Sequence, residues 1–162
     1  MRFLYAIIFT FLFLPFSGIS QIYDPVDWNF SKQKISDNTY ELIFTADIDS
    51  GWAMYSNDIY DNGVDCDVEI CPIPVSFEFN KNNEQERYFR FIGDIVEVDE
   101  NKKTSQDPIF LMEVTKFTDR ATFKQIIEID TNDIDVTGYL TFMVCDDTKC
   151  LPPTDVELVF SF

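Results

Sequence analysis

The sequence predicts an all-β chain, and within that class a β-sandwich. Three observations lead there. Apolar and polar residues alternate in short runs, the period of a half-buried strand, as in Val26-Asp27-Trp28-Asn29-Phe30-Ser31 and Val75-Ser76-Phe77-Glu78-Phe79. Turn clusters recur at roughly 8–12-residue spacing, the rhythm of two packed antiparallel sheets. No stretch beyond residue 20 has the apolar period of an amphipathic helix.

Taken in order, residues 1–20 read as a secretory leader. Arg2 is the charged start, Phe3 to Phe16 is nearly all apolar, and Gly18-Ile19-Ser20 places small residues before a cut. The apolar run is short for a membrane span, which needs about 20 residues. An uncleaved N-terminal anchor is the rival reading. Residues 21–162 then suffice for one domain with one core between two sheets. Val26 to Ser31 and Tyr40 to Ile48 are expected as an antiparallel pair around the turn Ser36-Asp37-Asn38. After Asp49-Ser50-Gly51 comes a short aromatic strand, Trp52-Ala53-Met54-Tyr55, read either as core or as a shield over a site.

Residues 56–72 read as a loop holding Cys66 and Cys71, and Pro72-Ile73-Pro74 leads into the strand Val75 to Phe79. Asn80 to Glu86 is a polar connection. Tyr88 to Gly93 and Ile95 to Val98 follow as strands, with Gly93 marking a bend or bulge. Asp99 to Asp107 reads as a charged loop, and Ile109 to Val114 as a strand pairing with Ala121 to Ile129 around Thr118-Asp119. Val136 to Cys145 and Val156 to Phe162 complete about eight or nine strands.

Charge and composition narrow the chemistry. The net charge is −17, and loss of Arg2 with the leader deepens it by one. Nucleic acid and anionic membrane surfaces need clustered Lys and Arg, so neither is an expected partner. Once the leader is cut no membrane insertion is expected. The chain contains no His. That removes Ser-His-Asp and Cys-His catalysis and takes imidazole from the usual metal sites. Paired carboxylates such as Asp146-Asp147, or Asp65 with Asp67, read as solvated surface, because adjacent side chains point apart on extended chain. Thiols remain. Four cysteines in an exported chain make disulfides plausible and allow three connectivities.

Most chemistry lies in Tyr139-Leu140-Thr141-Phe142-Met143-Val144-Cys145-Asp146-Asp147-Thr148-Lys149-Cys150-Leu151-Pro152-Pro153. A strand runs into a turn with a thiol at each end, and two prolines stop the ladder from continuing. Loop-closure entropy for a ring of about six residues gives only about 2 kcal/mol, against about 4.7 kcal/mol for a ring of about 100. A close pair is a weak staple, but it has the geometry needed to resolve a mixed disulfide. From spacing alone, redox use and an inert hairpin clip stand side by side. For Cys66 and Cys71 a structural loop disulfide leads. A second redox pair and a zinc site built from all four thiolates are the alternatives. No cofactor is expected.

Several of these pieces together resemble the N-terminal periplasmic domain of the thiol:disulfide interchange protein DsbD, over roughly residues 24–162. They are Trp28-Asn29-Phe30, Tyr40-Glu41-Leu42-Ile43-Phe44-Thr45-Ala46, Gly51-Trp52-Ala53-Met54-Tyr55-Ser56, Pro72-Ile73-Pro74-Val75-Ser76-Phe77 and, above all, Cys145 to Pro153. The resemblance implies an immunoglobulin-like β-sandwich whose Cys145/Cys150 pair exchanges electrons with periplasmic partners of thioredoxin-like or disulfide isomerase type. It also implies a cap loop with an aromatic residue over the disulfide, matched here to Phe91 in Phe91-Ile92-Gly93. Trp52 and Tyr55 match the aromatic residues flanking that site. The family's second cysteine joins the partner, which makes Cys150 the attacker and Cys145 the resolver. Lys149 beside Cys150 and Asp146 beside Cys145 agree with that assignment.

Three departures accompany the resemblance. The family's best-known members separate the two cysteines by one residue more. Cys66 and Cys71 sit in what reads as an insertion. The family protein continues into a membrane electron-transfer domain and a thioredoxin-like domain, so a membrane electron donor is expected in trans. The rival function is a non-catalytic sandwich that binds a protein or glycan and uses its disulfides as clips.

Overall fold

The computed structural model describes residues 23–57, 71–80, 87–98, 100–131 and 133–162. The expected leader and Cys66 lie outside them. The described chain is an all-β, immunoglobulin-like sandwich with no α-helix among the described residues. Among the described residues, eleven strands form three antiparallel sheets. The first has the order β1 (Val26–Lys34), β2 (Thr39–Ile48), β8 (Arg120–Ile129), β5 (Phe89–Glu97). The second is β10 (Val144–Cys145), β3 (Ala53–Tyr55), β7 (Glu113–Phe117), β6 (Lys102–Gln106). The third is β11 (Thr154–Ser161), β9 (Asp135–Phe142), β4 (Ser76–Phe79).

Alternation does the sorting. In β8 each second residue from Ala121 to Ile129 is buried, which puts Ala121, Phe123, Ile127 and Ile129 in the core together with the polar Gln125. β2 matches it with Leu42, Phe44, Ala46 and Ile48. The first sheet packs onto the other two through aromatic rings. Phe44 meets Phe77 at 4.8 Å and Phe160 at 5.5 Å, and Phe123 meets Phe77 at 5.3 Å and Phe117 at 5.5 Å. Such pairs add about 0.5–1.5 kcal/mol each beyond area burial. Gly138 lets β9 and β4 lie close, since a Cβ there would sit 2.3 Å from the Glu78 carbonyl oxygen.

The expected β1–β2 hairpin is present, with Val26 opposite Ile48. The expected bulge at Gly93 is present too: the β5–β8 register shifts between Ile92 and Val96, and Gly93 has φ +69°. Three expectations are corrected. Lys102–Gln106 is a strand rather than a loop, because β7 offers it a ladder from Lys102↔Phe117 to Gln106↔Glu113. Residues 107–112 form a turn rather than a strand, closed by Asp107 N donating to Met112 O at 2.8 Å. β7 and β8, expected to pair, lie in different sheets, and the chain crosses between them at Thr118-Asp119. A second crossing carries the site. β9 ends at Phe142 in the third sheet, and after Met143 the chain re-enters as β10 at the edge of the second.

Candidate functional site

Cys145 ends β10, and its sulfur is bonded to that of Cys150. The turn between them is closed several times over. Asp146 N donates to Lys149 O at 2.9 Å, and Leu151 N donates to Val144 O at 2.9 Å. Asp146 Oδ1 accepts from Thr148 Oγ1 and Thr148 N, both at 2.7 Å, and from Lys149 N at 2.8 Å. The Thr148 bonds, followed by that from Lys149, hold the Asp146 carboxyl below the ordinary carboxylate range. A fixed negative charge therefore stands beside Cys145. The Lys149 ammonium lies over the Trp52 ring, 5.8 Å from its centroid.

Cys145 is 3% exposed, and Cys150 is half-buried. Cys145 packs with Tyr55, Val114 and Met143, and Ile109, Phe110, Met112 and Cys150 close over that group. Phe110, from the 107–112 turn, is the aromatic side chain that packs onto this cluster from outside. Its ring stands edge-on to Tyr55 at 5.7 Å.

One carboxylate holds that turn in place. Asp107 Oδ1 accepts from Ile109 N at 2.8 Å and from Phe110 N at 2.9 Å. Asp107 Oδ2 accepts from Tyr55 Oη at 2.9 Å and pairs with Lys116 Nζ at 3.0 Å. Burial pushes the Asp107 carboxyl up, but the donors from Phe110, Lys116, Ile109 and Tyr55 outweigh it and leave it below its ordinary value. Tyr55 goes the other way. Burial, then the charge of Asp107 and its hydrogen bond, push the phenol far above its ordinary value. The backbone adds tension at the tip, where Leu111 adopts φ +56° and is 79% exposed.

The structure places the sequence-expected residues as follows. Tyr55 lies under the turn beside Cys145. Trp52 and Cys145 line a common hollow of about 270 Å³. Phe91 is not brought to the disulfide. It stacks on Phe79 at 4.4 Å and lines a separate cavity of about 480 Å³ with Phe77, Gly93, Ile95 and Gln125. That larger cavity holds no cysteine among the described residues, so size does not mark the chemistry here. The physical reason for the misplacement is register: β5 pairs with β8 on the far sheet, whereas Phe110 leaves the second sheet, which carries Cys145. Cys71 is disulfide-bonded. Among the described residues no cluster of three or more metal-binding side chains occurs.

Sequence reasoning missed Phe110, Asp107 and Lys116. The signal that could have found them is Asp107-Pro108, a turn-opening dipeptide placed before an apolar run.

No protein-family model matches the chain, and no curated protein matches it by sequence. Solved structures do match. The N-terminal periplasmic domain of ScsB from Proteus mirabilis aligns with a TM-score of 0.56 at 12% identity, over 86% of this chain and 47% of that one. The match therefore spans about half the length of the ScsB chain. The DsbD N-terminal domain of Neisseria meningitidis, in its reduced form, aligns with a TM-score of 0.48 at 14% identity, over 82% of this chain and 84% of that one. The resemblance read from the sequence holds at the level of the fold.

Proposed function

We propose that this chain is an exported thiol-disulfide exchange domain, in which Cys145 and Cys150 pass reducing equivalents between periplasmic redox partners. One observation carries the reading. The turn that the disulfide closes is already closed by two backbone hydrogen bonds and by three bonds to Asp146. A clip adds little to such a turn, about 2 kcal/mol at most by loop entropy. The bond also belongs to a small cluster apart from the main core, against which a separate turn with its own anchor, Asp107, packs. Fold likeness to periplasmic domains of ScsB and DsbD supports the same reading, as do the leader-like residues 1–20.

The steps follow from placement. With the 107–112 turn lifted, the Cys150 thiolate attacks a partner's disulfide and a mixed disulfide forms. The partner's second sulfur leaves as a thiolate. Cys145 then attacks Cys150 Sγ, which releases the reduced partner and restores the Cys145–Cys150 bond. Lys149 favours the thiolate at Cys150, and the fixed charge of Asp146 disfavours it at Cys145. Partners of thioredoxin-like or disulfide isomerase type fit this chemistry, with a membrane electron donor in trans. Cys66 and Cys71 belong to a structural disulfide in this account.

Cysteine-to-serine variants test the assignment. Cys145→Ser leaves Cys150 free and should trap mixed disulfides with thioredoxin-like proteins, whereas Cys150→Ser should trap few. Equal trapping by both would overturn the roles. The near-complete burial of Cys145 favours a second reading, a non-catalytic binding sandwich with an inert clip. That reading expects no trapping by either variant.

A further inference from the structure

The register of the second sheet assembles a hollow beside the disulfide. Cys145 stands opposite Ala53, Tyr55 opposite Lys116, and Lys116 opposite Lys103. Paired residues share a face of a sheet, as do alternate residues along a strand. These five side chains therefore share one face. Met54, Phe117 and Val144 occupy the other and enter the main core. Ala53 is the small residue in the middle of that face. Around it opens the hollow of about 270 Å³, which Cys145, Lys103 and Lys116 line together with Asp119, Asp146 and Asp147.

The charges in this hollow are mixed, and most are uncommitted. Lys116 is paired with Asp107, and Asp146 Oδ1 accepts from Thr148 and Lys149 within its own turn. Lys103, Asp119 and Asp147 make no ion pair with a described residue. A chain of net charge −17 thus places two of its lysines on one wall beside its buried cysteine. Size restricts the occupant further. Pockets for drug-sized ligands run from about 300 to 1,000 Å³, so this one suits a molecule of amino-acid size rather than a peptide.

We propose that this hollow seats a small zwitterionic thiol, an α-amino-acid thiol, which exchanges with the disulfide from the Cys145 side. The inference rests on the exchange reading above and names a reductant class for it. The carboxylate meets Lys103 and Lys116, and the ammonium meets Asp119 and Asp147. The thiolate attacks Cys145 Sγ, the Cys145–Cys150 bond breaks, and Cys150 leaves as a thiolate that takes a proton from solvent. A second thiolate attacks the ligand sulfur of the mixed disulfide. This releases the ligand's disulfide and frees Cys145. Two thiols are oxidised to one disulfide, and one protein disulfide is reduced to a dithiol. Cys150, the leaving group, is the cysteine assigned above to attack a protein partner, so loading and delivery use opposite sides of one bond.

The test compares rates of disulfide opening by L-cysteine, N-acetylcysteine, cysteamine and 2-mercaptoethanol. Acid quench, alkylation and peptide mass report the Cys145–Cys150 pair. Each rate is divided by that of the same thiol on hydroxyethyl disulfide, which removes intrinsic thiol reactivity. The expected normalised rate for cysteine is about tenfold above that for mercaptoethanol, one charge-paired handle being on the order of a tenfold effect. N-acetylcysteine, without the ammonium, and cysteamine, without the carboxylate, should fall between. Lys103→Glu, at an exposed position, should collapse the preference toward one, and Ala53→Leu, which fills the floor, should do the same. A wild-type preference near one, or a preference unchanged in Lys103→Glu, would overturn the inference. If dithiothreitol opens the pair and cysteine shows no preference, the hollow alone loses its role. If dithiothreitol does not open the pair, the exchange reading falls and the inference falls with it.

Discussion

Replacing Phe110 with Ala should make the Cys145–Cys150 bond react faster. The ring lies half-buried over the disulfide cluster and edge-on to Tyr55. Truncating a fully buried Phe costs about 3–5 kcal/mol, so half that burial gives about 2 kcal/mol. The main chain of the turn keeps its bonds to Asp107, so most of this loss falls on closure of the turn rather than on the global fold. At 1.4 kcal/mol per decade, the equilibrium between covered and uncovered disulfide moves about thirtyfold toward uncovered. Where the reductant reaches sulfur only in the uncovered form, the rate rises by up to the same factor, and an increase of about five- to thirtyfold is expected. The assay mixes oxidised protein with dithiothreitol, quenches with an alkylating agent, and follows the Cys145 and Cys150 peptides by mass. Phe91→Ala is the matched control, the same truncation at the other cavity, and should leave the rate within about twofold. A Phe110→Ala rate equal to wild type, or a larger acceleration from Phe91→Ala, would show that Phe110 does not shield the disulfide.

Four further outcomes are expected. Asp107→Ala removes the acceptor for two backbone N–H groups, Tyr55 Oη and Lys116 Nζ, and should cost about 3 kcal/mol in chemical denaturation; a loss under about 1 kcal/mol would contradict the anchoring role. The depressed Asp107 carboxyl contributes stability that is present above the ordinary carboxylate value and is lost as pH falls through its lower folded value. Disulfide opening by a phosphine should therefore accelerate below about pH 4 in wild type, and should lose that acid rise in Asp107→Asn. The raised Tyr55 phenol works at the other end: its contribution is present below about pH 10 and is lost as pH rises toward the folded value, so Tyr55→Phe should flatten the alkaline limb of the stability profile. Gly138→Ala should destabilise by about 1–3 kcal/mol, because the new Cβ meets β4 backbone rather than a movable side chain; an unchanged midpoint in urea would refute the close approach.

What the sequence made legible depended on where burial leaves a pattern. Tyr40 to Ile48 and Ala121 to Ile129 are half-buried strands, so their alternation names both the element and its core face. Lys102–Gln106 carries no apolar residue, and its strand state comes from the β7 ladder alone, which no local pattern records. Ile109-Phe110-Leu111-Met112 misleads in the opposite sense. Its run of apolar residues imitates a strand because the turn packs on the disulfide cluster while leaving Leu111 in water. The same confusion explains the candidate cap. Phe91 and Phe110 are equally aromatic in the sequence, and only sheet membership separates them. The Cys145/Cys150 turn was legible for a different reason: its closure is local, written in two thiols and the prolines that follow, although Asp146, read as solvated surface, proves to close it through Thr148 and Lys149. The hollow on the Cys145 side was not, since Ala53, Lys103 and Lys116 come from three strands and meet only through register.

Whether Cys145–Cys150 is an exchanging pair is decided by a redox titration. The protein is equilibrated in graded thiol–disulfide buffers, and the alkylated peptides of Cys145, Cys150 and Cys71 are counted by mass. Structural disulfides in secreted proteins typically lie below about −300 mV, and exchangers lie higher. Cys145–Cys150 is expected to open and close reversibly well above that value while the Cys71 disulfide stays closed. A Cys145–Cys150 bond that remains closed down to about −300 mV would contradict it and leave the chain a binding sandwich with a clip.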